Sequence, residues 1–197
     1  MTPQQTAPEL YDHLLHSAED VSQRIDEMAA ELIERYRDDK PLFVCLLRGG
    51  APFATRLMFA VAKHDPTFHP ELDYMTVRTY ASERSASHPE LVMGLAPGTD
   101  IHGRTVVMLD DVLDKGHTAG FTSGYLKLLG AASVDLVVLM QKQCTREHYP
   151  EATIHGFVAP DEWLTGMGMD DTRIAREANR WLGSLAIASG DRDTASA

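Results

Sequence analysis

The chain has 197 residues, of which 44% are hydrophobic and 24% charged, a balance typical of a single globular domain. The formal net charge of −11 argues against a nucleic-acid partner, because phosphate backbones select basic protein surfaces. No apolar run approaches the length of a membrane span, and the two cysteines, Cys45 and Cys144, do not suggest a disulfide framework. We therefore expect a cytoplasmic protein with no membrane or nucleic-acid partner.

The first part of the chain predicts helices and strands in alternation, after a loose arm at residues 1–9. The predicted elements are a helix over 18–36, a strand over 42–47, a helix over 52–62 and a strand over 72–79. Ser17 and Asp20 have the spacing of a capping box at the start of the first helix. Every residue of the first strand is apolar, which is typical of a parallel strand covered on both faces.

The alternation resumes after a polar stretch. Residues 80–103 are rich in Ser, Pro, Gly and charge and predict a long loop, whose first part, 80–93, we interpret as a lid. The remaining predicted segments are a strand over 105–109, a helix over 121–129, a strand over 134–140, a helix over 171–182 and a disordered tail at 189–197. The order of elements predicts an α/β fold: a central, mainly parallel sheet flanked by helices, with its core at about 37–150 and a small hood from about 151–188 plus an N-terminal part.

One segment, RTVVMLDDVLDKGHT at residues 104–118, carries the strongest functional signal. Its apolar strand is followed by Asp110 and Asp111, then by Asp114 and a short turn before the next helix. A turn at a helix N-terminus presents N–H groups that bind anions. Three acids beside it suit a ligand with phosphate and hydroxyl groups, or one chelated by Mg²⁺. The segment therefore predicts a site for a phosphorylated sugar; the alternative is an ordinary surface turn, in which Asp and Gly are common.

Other candidate residues also follow predicted strands. In an open parallel sheet, ligands bind beyond the carboxyl ends of the strands. Arg48 follows the first strand, Thr79 and Tyr80 end the second, and Lys142 follows the last. We therefore expect these residues to share one crevice with the acids of residues 110–118.

Residues 104–118 resemble the 5-phosphoribosyl-1-pyrophosphate (PRPP) motif of the type I phosphoribosyltransferases: apolar residues, two acids, two apolar residues, Asp, a variable residue, Gly, a variable residue, and Thr or Ser. Within this superfamily, the chain from about residue 17 to 187 is similar to the hypoxanthine-guanine phosphoribosyltransferases. Four segments carry the similarity, in the family's order: LLRGGAPF resembles the pyrophosphate loop, VRTYAS the start of the flexible catalytic loop, VLMQK the purine-binding lysine segment and GFVAPDEWLTGMGMD the hood.

The resemblance implies transfer of ribose 5-phosphate from PRPP to a 6-oxopurine, with Mg²⁺ as cofactor and pyrophosphate as the second product. Asp110 and Asp111 are then expected beside the ribose hydroxyls and Mg²⁺, and Asp114 is expected to exchange a proton with N7 of the purine. An exposed aspartate is ionised at neutral pH, so this role requires burial or neighbouring acids. The 5-phosphate is expected on four residues: Lys115, Gly116, His117 and Thr118. Of these, Lys115 and His117 depart from the residues most relatives have.

The resemblance also assigns residues to the pyrophosphate and to the lid. Arg48, Gly49 and Arg176 are expected to bind pyrophosphate, with a non-proline cis peptide between Leu47 and Arg48. Thr79 and Tyr80 begin the flexible loop, which by closing would keep water from an oxocarbenium-like intermediate. For both arginines an ordinary surface role remains open.

Three further residues are implied for the purine, and one for a metal ion. Lys142 is expected to bind the purine carbonyl, since an ammonium group donates hydrogen bonds and repels the amino group of adenine. Trp163, in place of the family's phenylalanine, could stack on the base or simply fill the hood. Leu164 is expected to offer backbone groups to the purine edge. Asp170 resembles the second Mg²⁺ ligand.

Several alternatives stay open at this point. The base could be xanthine, because sequence does not give the direction of the backbone atoms that read the purine 2-position. The same fold could serve as an RNA-binding regulator that retains the sugar-phosphate site, or as an inactive paralogue used for assembly. Relatives are dimers or tetramers, so the resemblance implies a homo-oligomer.

Overall fold

The computed structural model describes residues 13–82, 85–146, 151–169 and 183–187, with side chains everywhere in these ranges except at 79–88. Its helices and strands are β1 (His13–His16), α1 (Ala18–Tyr36), β2 (Leu42–Leu47), α2 (Gly50–His64), β3 (Glu71–Ser82), β4 (Ser85–Met93), β5 (Thr105–Leu113), α3 (His117–Leu128), β6 (Ser133–Lys142), β7 (Ile154–Ala159), β8 (Leu164–Thr165) and β9 (Leu185–Ile187). The predicted arm at 1–9, helix at 171–182 and tail at 189–197 lie outside the described residues.

A six-stranded sheet forms the centre of the molecule, in the order β4-β3-β2-β5-β6-β7. Each neighbouring pair from β3 to β7 is parallel, and β4 alone runs antiparallel, against β3. This arrangement confirms the predicted α/β fold with a central, mainly parallel sheet. The parallel strands end on one edge, which is the edge where such sheets bind ligands.

Both faces of the central sheet are buried, as the apolar run of β2 predicts. Side chains alternate along a strand, so Phe43 and Cys45 point to one face and Val44 to the other. The first face packs against α1 and α2, and the second against α3 through residues such as Leu126. This double burial fixes the register of the strands and therefore the positions of the residues at their ends.

Helix α1 begins at the capping box that the sequence predicts. The Ser17 hydroxyl accepts a hydrogen bond from the Asp20 N–H at 3.1 Å, and the Asp20 carboxylate accepts one from the Ser17 N–H at 2.9 Å. The two bonds satisfy N–H groups that a helix start leaves without intrahelical acceptors. The predicted span of 18–36 agrees with the helix observed.

Strand β5 is longer than the sequence predicts, and the prediction that it ends at residue 109 is wrong. Its ladder with β6 continues beyond that point, pairing Asp110 with Val138, Val112 with Met140, and Leu113 with Gln141. Aspartate is unfavourable in strands, but the apolar residues that follow the acids keep the segment paired. The acids therefore stand inside the sheet edge rather than in a loop after it.

The predicted long loop at 80–103 is also wrong in its first half. Strand β3 continues to Ser82 and pairs with β4, with Thr79 opposite Pro89 and Tyr80 opposite His88. A proline is tolerated on an edge strand, where its missing N–H costs no ladder bond. Polar composition concealed this hairpin, because its stability comes from pairing with β3.

A second, three-stranded antiparallel sheet, β1-β9-β8, joins strands from the two ends of the described chain, and we call it the hood. Strand β7 belongs to the central sheet, where it pairs with β6. His16 of the hood stacks on Phe157 of β7 at 3.8 Å between ring centroids, which joins the two sheets. Among the described helices, none is both long and apolar enough to cross a membrane.

Candidate active site

Asp110 and Asp111 lie near the end of β5, with their side chains held by the local backbone. The Asp110 carboxylate accepts the Asp111 N–H at 3.0 Å, and the Asp111 carboxylate accepts the Val112 N–H at 2.8 Å. Asp111 also lies against Gly49, where an added Cβ would come within 2.0 Å of its Oδ2 atom. The predicted pyrophosphate loop and the predicted acid pair are therefore in direct contact, and a Cβ at position 49 would require the Asp111 carboxylate to move.

The environment of these two acids favours their protonated forms when no ligand is near. Burial raises the pKa of Asp110 well above its usual range, and the adjacent Asp111 charge raises it further. Burial also raises the pKa of Asp111, against the lowering effect of its hydrogen bonds. A cation that binds beside Asp110 and Asp111 would favour the ionised form of their carboxylates.

A cavity of about 300 Å³ lies between the acids and the start of α3, and we call it the turn cavity. Its lining combines Asp110 with the continuous stretch 112–119, together with Leu136 and Val138. Helix α3 begins at His117, four residues before the predicted start, so His117 and Thr118 belong to its first turn. Gly116 caps the helix with φ +82° and supplies no side-chain acceptor, which suits an anion at this end.

The Lys115 side chain forms an ion pair with the hood segment. Its ammonium group donates to the Asp161 carboxylate at 2.7 Å, across the opening between the turn and the hood segment. This hydrogen bond raises the pKa of Lys115 and lowers that of Asp161. The sequence shows Asp161 within the hood motif, but nothing in its spacing indicates this contact.

A smaller cavity of about 170 Å³ adjoins the first, sharing Val112 and Asp114 with it, and we call it the hood cavity. Its lining residues come from three separate segments: Asp111, Val112, Asp114, Lys142, Trp163, Leu164 and Met169. Trp163 leaves 46% of its surface exposed, whereas Leu164 is buried in β8. The structure thus brings the three predicted purine residues to one cavity beside the acids.

Lys142 and Asp114 form an ion pair at the junction of the two cavities. The Lys142 Nζ atom lies 3.1 Å from Asp114 Oδ2, and 11% of the lysine side chain is exposed. The Asp114 side chain is 48% exposed. The burial that a proton-exchanging role for Asp114 led us to expect is therefore absent at this residue.

Arg48 stands apart from both cavities. The predicted cis peptide between Leu47 and Arg48 is confirmed. Arg48 lines a third cavity, of about 630 Å³, that shares no lining residue with the other two. Thr79 and Tyr80 lie in β3, and their side chains, like the predicted residues Asp170 and Arg176, lie outside the described part of the chain.

Arg146 is a site residue that the sequence does not reveal. It follows Lys142 by four positions and donates hydrogen bonds to the carbonyl oxygens of Leu113, Asp114 and Lys142, at 3.1, 2.7 and 2.5 Å. No motif marks it, because an isolated arginine after a strand is common on protein surfaces. Only the fold brings it under the residues of the site.

The described residues contain no cluster of three His, Cys, Asp or Glu side chains that could hold a metal ion. Asp110 and Asp111 nevertheless offer adjacent carboxylate oxygens, the ligand type that Mg²⁺ takes together with water and phosphate oxygens. A cation at this pair would therefore need most of its ligands from a bound molecule. The residues present fit that arrangement.

Comparison with known proteins gives consistent results. A family model, Phosphoribosyl transferase domain, matches residues 14–172. The hypoxanthine-guanine phosphoribosyltransferase of Streptococcus thermophilus is 32% identical over 157 residues, which are 80% of this chain and 84% of that protein. The bifunctional protein TilS/HprT of Listeria monocytogenes is 32% identical over 158 residues, 80% of this chain, but the chain spans only 23% of that protein's length.

The same architecture occurs in a solved structure. A hypoxanthine phosphoribosyltransferase from Staphylococcus aureus superimposes with a TM-score of 0.79 at 25% identity. The superposition covers 91% of this chain and 92% of the other. The structural agreement therefore extends over nearly the whole chain.

Proposed function

This chain belongs to the phosphoribosyl transferase family, and from that premise we propose that it transfers the 5-phosphoribosyl group of PRPP to hypoxanthine or guanine. One observation carries the proposal. Two cavities meet at Asp114, one lined by a helix N-terminus and the other by a lysine and an indole. An anion binds well at a helix N-terminus, and a flat 6-oxopurine suits an ammonium donor and an aromatic face.

The acids explain how such a site would promote bond cleavage. In the proposed reaction the bond from C1 of the ribose to the pyrophosphate oxygen breaks, and pyrophosphate leaves with the electron pair. Positive charge then develops on the ribose, and Asp110 and Asp111 in their ionised forms stabilise it. The nitrogen N9 of the purine forms the new bond to C1.

Asp114 and Lys142 act on the base in this proposal. The purine must lose a proton as it becomes a nucleotide, and the Asp114 carboxylate receives that proton from N7. The neighbouring Lys142 donates a hydrogen bond to the purine 6-oxygen. The ion pair between the two residues therefore fixes the position of the carboxylate that accepts the proton relative to the ammonium group that binds the 6-oxygen. An adenine amino group in the same place would meet an ammonium group that can only donate.

Asp110 and Asp111, with Asp170, are the residues that would hold Mg²⁺ in this proposal, together with oxygens of PRPP. The ion would supply positive charge to offset the negative charge of the departing pyrophosphate. Burial raises the pKa of both acids of the pair, and a divalent cation would favour their ionised forms. Hard oxygen donors of this kind suit Mg²⁺.

Other roles rest on the resemblance alone and remain proposals. Arg48, Gly49 and Arg176 bind pyrophosphate, and the contact between Gly49 and Asp111 supports placing that loop next to the acids. Residues 80–93, which begin with Tyr80, close over the site and exclude water. The phosphate role of Lys115 is one of its backbone N–H group, so its ammonium group can stay paired with Asp161.

We also propose a cytoplasmic homo-oligomer, a dimer or a tetramer. Both cysteines are free thiols, which suits a reducing compartment. The oligomeric part of the proposal rests on the resemblance, because relatives of this family are dimers or tetramers. Sedimentation measured over a range of protein concentrations tests the oligomeric state.

The deciding experiment is a product assay with Mg²⁺, PRPP and each of hypoxanthine, guanine, xanthine and adenine. We expect nucleotide and pyrophosphate in equal amounts with hypoxanthine or guanine, and none with adenine. Turnover with xanthine alone would change the substrate, and absence of product with all four bases would overturn the proposal. Tight RNA binding that weakens steeply with salt would then favour a regulator.

A further inference from the structure

We propose that Arg146 is a positioning residue that sets the distance between Asp114 and Lys142 and so determines selectivity for the purine 6-oxygen. The proposal rests on the function proposed above. Arg146 is not among the residues that line either cavity. It acts through the backbone of the two residues that lie where the cavities meet.

The ends of β5 and β6 need a connection at this point. Their ladder ends with the pair of Leu113 and Gln141. Asp114 follows the end of β5, whereas Lys142 is the last residue of β6 and pairs with Ala159 of β7, and their side chains meet at 3.1 Å. Because the β5–β6 ladder does not reach Asp114, the distance between the two side chains depends on contacts outside the ladder.

The Arg146 guanidinium supplies the tie. Its Nε atom donates to the Asp114 carbonyl at 2.7 Å, and its Nη2 atom donates to the carbonyls of Leu113 and Lys142 at 3.1 and 2.5 Å. A planar guanidinium with fixed donor directions can hold groups from two chains at once, which a single ammonium group does less well. Both strand ends are therefore bonded to one rigid group.

Partial burial makes these bonds consequential. Arg146 is half-buried, and the three carbonyls it serves lie in a part-buried environment. Removing the donors would leave carbonyl oxygens that solvent satisfies poorly, and the turns would rearrange to find new partners. The Lys142 ammonium group would then no longer lie in position to bind the 6-oxygen, although the residue itself is unchanged.

Two nucleotides provide a test that does not depend on turnover. Inosine 5′-monophosphate carries the 6-oxygen, and purine riboside 5′-monophosphate has hydrogen there. The Kd of purine riboside 5′-monophosphate divided by the Kd of inosine 5′-monophosphate therefore reports the 6-oxygen contact. We expect Arg146→Met to reduce this ratio by about tenfold, the equivalent of one hydrogen bond to a charged group. Arg146→Lys should retain part of the ratio, because an ammonium group still reaches one of the carbonyls.

Arg104 offers a matched control at the opposite end of β5. Its guanidinium also donates to backbone carbonyls, those of Asp100 and Lys40, at 3.0 and 3.2 Å. Arg104→Met should lower the melting temperature but leave the ratio of Kd values unchanged. A general structural effect would instead lower melting temperature in both methionine variants and alter neither ratio.

The outcomes separate the two proposals. A ratio within twofold of the wild type in both Arg146→Met and Arg146→Lys would overturn the positioning role, as would an equal loss in Arg104→Met. If Arg146→Met does not fold, the ratio in Arg146→Lys decides alone, with a loss of threefold or more expected. A wild-type chain that binds neither nucleotide would overturn the proposed function itself.

Discussion

The turn cavity and the hood cavity meet at Asp114 but are built in different ways. The turn cavity takes most of its lining from one continuous stretch, 112–119, whose helix N-terminus presents backbone groups. The hood cavity takes side chains from β5, β6 and the hood, which are distant in sequence. A site made from local backbone is specified by a short motif, whereas a site made from distant side chains depends on the whole fold.

Asp114 lines both cavities, so among the substitutions considered its replacement should have the largest effect on activity. Asp114→Asn keeps the shape but cannot accept the purine proton, and we expect kcat to fall about 10²- to 10⁴-fold. The KM for PRPP should change little, because the turn cavity retains its backbone. Steady-state kinetics with both substrates measures this split. Unchanged kcat would make the catalytic role of Asp114 untenable.

Gly49 tests whether the pyrophosphate loop and the acids act as one unit. In Gly49→Ala the new methyl group would collide with the Asp111 carboxylate, which lies 2.0 Å from the ideal Cβ position. Such overpacking costs about 1–3 kcal/mol, and we expect kcat/KM for PRPP to fall by about tenfold or more.

Gly124 supplies the matched control for that substitution. It lies in α3, where an added Cβ meets nothing within 4 Å. Gly124→Ala should leave kinetics unchanged and stabilise the helix by up to about 1 kcal/mol. Equal losses of activity in the two alanine variants would show that the contact with Asp111 has no functional weight.

Asp73 lies remote from both cavities. Its substitution should therefore lower the stability of the protein and leave both cavities unchanged. Its buried carboxylate accepts hydrogen bonds from the Thr99 hydroxyl at 2.6 Å and the Ala96 N–H at 2.9 Å, and so anchors the connection to β5. Burial alone would raise the pKa of Asp73, but these bonds and one from the Tyr74 N–H lower it. Asp73→Asn should reduce the free energy of unfolding by about 1–3 kcal/mol.

The lowered pKa of Asp73 also fixes the sign of a pH effect. The carboxylate contributes stability that is complete above the unfolded pKa of about 3.9. That contribution is lost as the pH falls through the lower folded value. Chemical denaturation at pH 7 and below pH 4 should therefore show the wild type and Asp73→Asn converging in acid. A difference that grows in acid would contradict the assignment.

The ion pair between Lys115 and Asp161 is exposed to solvent, and its loss should have the smallest effect. Lys115→Thr introduces the residue type that many relatives have there. Exposed ion pairs contribute little and are screened by salt, so KM for PRPP and for the purine should change by less than about threefold. A larger increase in the KM for PRPP at low salt would indicate that Lys115 binds the ligand phosphate.

Much of the fold could be predicted because its strands and helices carry local patterns. The uniformly apolar strand at 42–47 and the capping box at Ser17 are examples. Strand β4 was missed because its pairing with β3, and not its polar sequence, makes it a strand. The end of β5 was misplaced for the same reason, since its ladder with β6 outweighs the poor strand propensity of aspartate.

For the candidate site, too, local features could be predicted from the sequence and contacts between distant segments could not. The motif at 104–118 contains most of the residues that line the turn cavity, whereas Leu136 and Val138 come from β6. Sequence could not show that Lys115 turns towards Asp161, that Arg146 ties two strand ends together, or that Asp114 remains half-exposed. These properties depend on distances between segments that only the folded chain brings together.

The hood sheet has a consequence for synthesis on the ribosome. Strand β8, which carries Leu164, pairs with β9, and β9 pairs in turn with β1 near the beginning of the chain. A nascent chain must therefore emerge past residue 187 before this sheet can be completed. Until then the turn cavity can already be formed, while the hood cavity still lacks an ordered β8.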